Sequence, residues 1–419
     1  MYQYIFYLAL LLLPSASVIS GILFLIALFA SFYSKNSKID SKWDKLLFLS
    51  SLFIVISCIF HTFSGIYLGK NFIYSLSWIG LFNWIPLFLC FFGFQQYLDS
   101  AKKREISIYC IIASSIPVIV TCFGQYWLNW NGGPYKAMGG LVIWYLRPMD
   151  VNDGISGLFS NPNYTAAWLI STLPLCLAIF QQKVNNIKKL MLAFNVVIFS
   201  ISIVITNSRS AWICSLVSLI LMYGRKSLNF IIPLISTFSI LIYFCISSIS
   251  FELQQFAKSI IPQNIWYEFV PNSIPKTMTR LNIWRNAFSL IKEKPIFGWG
   301  PESFSKIYES NSGTYVAHAH NLFLDLSLNY GLIVGLLTFA FISYLLIKAF
   351  LTNNNLQNSK FNVPKTNQFD KAWCVSCLIL TISQLVDVQY YDGRISIIFW
   401  IFMAGVKAQI KNKVLEISN

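Results

Sequence analysis

Two short stretches of this sequence carry side chains suited to proton and phosphate chemistry. The first is His318-Ala319-His320-Asn321, which holds two of the three histidines and opens a long apolar run. Imidazole titrates near neutrality, so either ring could accept a proton from an attacking hydroxyl. Structural capping and metal binding are the alternatives, and a zinc site has no clear third ligand in the sequence. The other histidine, His61, lies near a helix end and reads as structural. The second stretch is Thr206-Asn207-Ser208-Arg209-Ser210, a polar turn wedged between two apolar runs. A charge there is expensive and is functional, paired or snorkelling.

Arginine usage adds to this. The chain has seven arginines, and Arg147, Arg209, Arg280, Arg285 and Arg394 all fall on the side that the charge pattern below makes the outer one. A guanidinium fork binds phosphate oxygens bidentately where an ammonium cannot, so these residues suit an anionic headgroup, with ordinary loop salt bridges as the alternative. Arg280 opens a helical stretch, 280–292, whose Leu281, Trp284, Phe288 and Ile291 recur at helical spacing. Thr277 or Thr279 can cap it and Pro295 ends it. A helix N-terminus beside an arginine favours an anion. Gly298-Trp299-Gly300-Pro301 follows; its glycines allow a ligand to approach the backbone, or simply make a turn.

The elements that must position these groups are membrane helices. Hydrophobic residues make up 56% of the 419 and charged residues only 11%, against about 25% charged in soluble domains. Apolar runs of the roughly 20 residues a span needs recur along the chain. They predict an all-α, polytopic transmembrane helix bundle of about 12 spans, or 11 if the first two merge. The expected division is 1–249 with nine spans and an outer loop near 125–163, then a long outer loop at 250–318, then three spans in 319–419. No convincing cleavable signal peptide is present: the N-terminus lacks a basic region and its apolar run is too long. The nine cysteines all fall in apolar segments, which argues against a disulfide framework. A net charge of +15 could suggest nucleic acid, but most basic residues sit in alternate short loops, as in membrane topology. Those loops, such as the one with Lys102, Lys103 and Arg104, then face the cytoplasm.

The same pieces, in order, resemble the O-antigen ligase and O-antigen polymerase superfamily of bacterial envelope proteins. The resemblance runs over about 157–340. It is carried by Gly157-Leu158-Phe159-Ser160-Asn161-Pro162-Asn163, Thr206-Asn207-Ser208-Arg209-Ser210, Arg280-Leu281-Asn282-Ile283-Trp284, Pro295-Ile296-Phe297-Gly298-Trp299-Gly300, His318-Ala319-His320-Asn321-Leu322-Phe323-Leu324-Asp325 and Tyr330-Gly331-Leu332-Ile333-Val334-Gly335. It implies an undecaprenyl-diphosphate-linked glycan as donor, with lipid A core, a second carrier-linked repeat or a protein as acceptor. It also implies membrane lipid around the chain, a bacterial inner-membrane location with the site facing the periplasm, and neither cofactor nor catalytic metal. Arg209 and Arg280 fall at the positions of the family's diphosphate-binding arginines, and His320 matches the family histidine better than His318.

The expected catalytic residues are therefore His320, Arg209 and Arg280. His318, Asn321, Arg285, Arg147, Asn161, Asn163, Gly298 and Gly300 are expected to contact substrate. Outer aromatics such as Trp127, Trp130, Tyr135, Trp144 and Tyr145 either stack on sugars or form an interfacial belt. The rival reading is a transporter of a small anion or of a lipid-linked glycan. A transporter should carry charge near mid-membrane or internal repeats, whereas here the polar groups gather at the outer surface.

Overall fold

The computed structural model describes residues 1–34, 43–64, 75–148, 154–247, 249–261, 263–270, 279–358 and 368–418. The expected cap Thr277 lies outside the described residues. The chain is an all-α bundle with one small hairpin. In order it forms α1 (Tyr2–Leu12), α2 (Ser17–Tyr33), α3 (Asp44–Ser64), α4 (Ser75–Leu81), α5 (Ile85–Phe94) and α6 (Ala101–Leu128). The hairpin β1 (Tyr135–Ala137) and β2 (Val142–Trp144) follows, then α7 (Pro162–Phe180), α8 (Asn186–Ile205), α9 (Arg209–Tyr223) and α10 (Leu228–Ile246). The long connection holds α11 (Phe251–Ile260), α12 (Gln263–Trp266), α13 (Arg280–Glu293) and α14 (Ser303–Ser312). The chain closes with α15 (Leu322–Tyr330), α16 (Leu332–Asn358), α17 (Gln368–Gln384) and α18 (Gly393–Ser418).

Among the described residues eight helical stretches are long and apolar enough to cross a bilayer, and α1 and α2 are shorter apolar helices. Helices satisfy their own backbone in lipid, which is why apolar runs of this length adopt them. The runs differ sharply in burial. Every residue of α7 from Thr165 to Ile179 is buried, and α17 and the first half of α18 are nearly as enclosed. Small residues such as Ala166, Ala167, Ser171 and Ala178 let neighbouring helices approach α7 closely. By contrast α10 buries only Ile231, Ile242 and Cys245, and its exposed Phe230, Ile232 and Leu234 face where lipid would lie. All nine cysteines are free thiols.

Two buried ion pairs tie together the helix ends on the side of the lysine-rich loops. Arg104 of α6 grips Asp370 of α17 through Nε and Nη2 at 2.8 and 3.0 Å. Lys407 of α18 reaches both carboxylate oxygens of Asp44 of α3 at 2.8 and 3.1 Å. At the opposite end β1 and β2 pair antiparallel, with Tyr135 opposite Trp144. The hairpin docks on the α1–α2 turn through Trp144 Nε1, which donates to the Ser15 carbonyl at 2.8 Å.

Several expected elements are divided. The apolar run from 321 breaks at Gly331, whose φ of +103° only glycine adopts readily. A Cβ there would overlap the Ile296 carbonyl, so the break is also a packing contact. The chain likewise breaks between α4 and α5, just ahead of Pro86. In α13 the buried face is Ile283, Ala287, Leu290 and Ile291. Leu281 and Phe288, expected on the apolar face, are 63% and 52% exposed. The helix carries two apolar stripes, one against the protein and one turned away from it.

Candidate active site

The end of the bundle away from the buried ion pairs gathers the groups able to do chemistry. Asn321 is the cap of α15: its Oδ1 accepts from Leu324 N at 3.1 Å, the usual service of asparagine at that position. Its Nδ2 donates to the Leu385 carbonyl at 2.8 Å, which pins the start of α15 to the end of α17. This brackets the preceding residue over the turn after α17, where Asp387 lies. His320 Nδ1 and Asp387 Oδ1 are 2.6 Å apart. His320 adopts φ +49°, a conformation uncommon outside glycine and found where surrounding structure enforces it. Two contacts enforce it: Trp284 Nε1 of α13 donates to the His320 carbonyl at 3.4 Å, and His320 N donates to His318 Nδ1 at 3.3 Å. Ala319 N donates to Asp325 Oδ1 at 3.3 Å.

These bonds set the tautomers. A carboxylate only accepts, so His320 carries its proton on Nδ1 and leaves the Nε2 lone pair for chemistry. His318 accepts at Nδ1, so its neutral form carries the proton on Nε2. The two rings meet edge to face with centroids 4.4 Å apart. Burial alone would push the Asp387 carboxyl up, but the hydrogen bond from His320 and the nearby charges of His320, His318 and Arg280 hold it below its ordinary value. Burial, then the neighbouring His320, pulls the His318 pKa down.

Arg209 and Arg280 are the first residues of α9 and α13. The charge of Arg280 interacts with Asp387 and His318, which sets Arg280 near the histidine cluster, and with Arg209, which lies near Arg280. Two helix N-termini each headed by an arginine form an electropositive corner suited to an anion. The turn that delivers Arg209 is held from below. Asn207 sits at φ +56°, and Ile155 N donates to the Ile205 carbonyl at 3.1 Å. A Cβ on Gly154 would overlap the Thr206 carbonyl. The 154–158 strap is itself clamped by buried Gln125, whose Oε1 accepts from Ser156 N and Gly157 N at 3.0 and 2.8 Å.

The remaining expected contacts are placed elsewhere. Asn161 Oδ1 accepts from Asn163 N at 2.8 Å, and the two begin α7 with Pro162 between them. Gly298 and Gly300 take φ +69° and +89° in a backbone clasp. Trp299 N and Gly300 N donate to the carbonyls of Leu328 and Asn329 at 2.7 and 3.0 Å, and a Cβ on Gly298 would overlap the first of these. His61 Nε2 lies 3.2 Å from the Gly298 carbonyl, so this histidine links α3 to the same clasp. Arg285 is exposed and its Nη1 lies 3.5 Å from Asn282 Oδ1 on its own helix. Arg147 is fixed through its backbone, its N donating to Ser156 Oγ at 3.2 Å. Arg394 is buried, bonded to Asp392 at 2.8 Å through Nε and lying 3.9 Å over the Phe159 ring.

Sequence reasoning missed Asp387. It lies 67 positions from His320, in Leu385-Val386-Asp387-Val388. Its signal was scarcity: one of only 16 acidic residues in the chain, directly after an apolar span. The fold also supplies the third metal ligand that was not clear in the sequence, because His318, His320 and Asp387 offer ligand atoms within 4.8 Å of one another. Those three could hold a zinc-like cation. The direct His320–Asp387 bond occupies His320 Nδ1 and Asp387 Oδ1.

Residues 194–340 match the O-antigen ligase family model. The matched stretch contains Arg209, Arg280, His318 and His320, and it bears out the resemblance to the O-antigen ligase and polymerase superfamily there. No curated protein matches the chain. The match and the long apolar helices support a multi-pass membrane protein with a glycan ligase or polymerase kind of function.

Proposed function

We propose that this chain transfers a glycan from an undecaprenyl-diphosphate carrier to an acceptor hydroxyl, on the periplasmic side of a bacterial inner membrane. The observation that carries the reading is the 2.6 Å His320–Asp387 pair beside Arg280 and Arg209. The acceptor oxygen attacks the anomeric carbon of the donor sugar. The bond from that carbon to the carrier phosphate oxygen breaks, and the diphosphate leaves with its electron pair. His320 Nε2 takes the acceptor proton, and Asp387 stabilises the imidazolium that forms. A positioned base of this kind contributes about 10²–10⁴-fold. Arg209, Arg280 and the N-termini of α9 and α13 bind the leaving diphosphate, where charge grows most. Electrostatic stabilisation of that sort is worth about 3–4 kcal/mol per donor.

The positive-inside rule supports the sidedness, since the site is at the end opposite the lysine-rich loops. No step in this scheme needs a metal or a nucleotide sugar. One displacement by one acceptor inverts the anomeric centre. The test is a purified-protein assay with an undecaprenyl-diphosphate glycan and two acceptors, lipid A core and a second carrier-linked repeat. Product on the core makes the protein a ligase, and a lengthened carrier glycan makes it a polymerase. Folded wild type that transfers to neither, or full activity in Arg209→Ala, Arg280→Ala and His320→Ala alike, refutes the proposal.

A further inference from the structure

Beside the histidines a cavity of about 380 Å³ opens between α4, α14 and α15. Its wall includes His318, Asp325, Tyr391, Asn83, Glu302 and Tyr315. We propose that this cavity is the acceptor subsite, holding the terminal sugar of an uncharged, hydroxyl-rich acceptor with one hydroxyl directed to the His318–His320 corner. The inference rests on the glycan-transfer reading above.

Charge separates this cavity from the donor site. Its lining has two carboxylates, Glu302 and Asp325, and no lysine or arginine among the described residues. A carrier diphosphate would meet like charge there, whereas sugar hydroxyls can donate to the exposed Glu302 carboxylate. The arginine corner that suits the diphosphate is not part of this wall. Position agrees: His318 is both a wall residue and the ring packed 4.4 Å from His320. Size agrees as well, since 380 Å³ lies within the roughly 300–1,000 Å³ of small-ligand pockets.

The polar wall is organised without a ligand. Asp325 is buried and accepts from Ala319 N, from Asn329 Nδ2 at 3.1 Å and from the Tyr391 hydroxyl. Asp325 is thus a positioning residue that locks the histidine turn to the cavity floor. On the far side Gly80 of α4 packs so closely on Pro301 and Tyr330 that a Cβ would overlap both. Glu302, next to Pro301, takes φ +61°, a strained conformation for a residue with a side chain. Its side chain is exposed at the cavity mouth with those of Asn83 and Tyr315, so these three can change without disturbing the core.

The test combines binding with kinetics on detergent-solubilised full-length protein. Saturation-transfer NMR would use two lipid-free probes, a dephosphorylated core oligosaccharide and a soluble repeat-unit oligosaccharide. One probe should give signal with wild type and lose it with Glu302→Gln combined with Tyr315→Ala; which probe it is identifies the acceptor source. In transfer assays Glu302→Gln and Asn83→Ala should raise the acceptor KM, about 10-fold or more for the charged partner, with the donor KM unchanged. Absence of signal from both probes, signal that survives the double substitution, or a rise confined to the donor KM overturns the proposal. Probe binding without transfer to any acceptor would instead overturn the transfer reading and leave the cavity a carbohydrate site.

Discussion

Asp387→Asn tests the proposed chemistry most directly, because it preserves shape while removing the charge. In the native protein Asp387 Oδ1 accepts from His320 Nδ1 at 2.6 Å and from its own neighbour Val388 N at 3.0 Å. An asparagine can turn its amide toward His320 and donate to Nδ1. The imidazole proton then moves to Nε2, where it blocks the position that must accept the hydroxyl proton. The substitution also removes a negative charge from beside the imidazolium formed during transfer. Two unit charges 4 Å apart at an effective dielectric of 20 interact by about 4 kcal/mol, which corresponds to roughly 10³-fold in rate. That figure falls inside the range for losing a general base. The expected result is a fall in kcat of about 10³-fold with little change in donor KM, measured by single-turnover transfer of a fluorescent carrier-linked glycan. The pair acts as a unit, so His320→Ala with Asp387→Asn should be no slower than His320→Ala alone. Multiplying effects in the double variant would refute a shared role, and a fall of less than about threefold in Asp387→Asn would refute the base assignment.

Four further outcomes follow from the same geometry. Arg280→Lys keeps the charge but loses the bidentate fork, so transfer should drop by about 10-fold or more in steady-state assays. Gly154→Ala forces a methyl against the Thr206 carbonyl and should displace the turn that carries Arg209; transfer should fall more than thermal stability does. Arg104→Ala leaves Asp370 buried without its forked partner and should cost about 3–5 kcal/mol of stability, read as a lower unfolding temperature in detergent. His318 has a depressed pKa in the folded state, so below the ordinary histidine value the unfolded chain binds more protons. Its contribution to stability is therefore lost as pH falls from about 6.5 toward the folded value. Thermal melts of wild type against His318→Gln across that window should show a smaller acid loss in the variant.

Local sequence was enough to specify the class of this molecule. Apolar runs near the length of a bilayer specify helices whatever they pack against, because backbone groups in lipid have no other partner. The motifs around Arg209, Arg280 and His320 were legible for a related reason. A charge or imidazole between apolar runs is costly enough to be conspicuous. The family match later covered the stretch that holds all three.

What sequence could not supply was separation in space. Asp387 joins His320 across 67 positions, where Asn321 ties α15 to Leu385. Gly298 and Gly300 suited either a ligand approach or a plain turn from their spacing, and their backbone clasps the last turn of α15. Asn161 looked like a sugar contact, and its side chain caps α7. Glycine and asparagine serve backbone geometry and ligands equally well, so their spacing alone does not separate the two uses. Hydropathy marks both the enclosed α7 and the exposed α10 as membrane-crossing helices, since lipid and protein interior are similar solvents for an apolar side chain. The sequence by itself determined that this is a helical membrane protein with cationic and imidazole groups at one surface. Only the tertiary structure decided which groups meet, because hydrogen-bond and packing geometry act between segments that no local pattern relates.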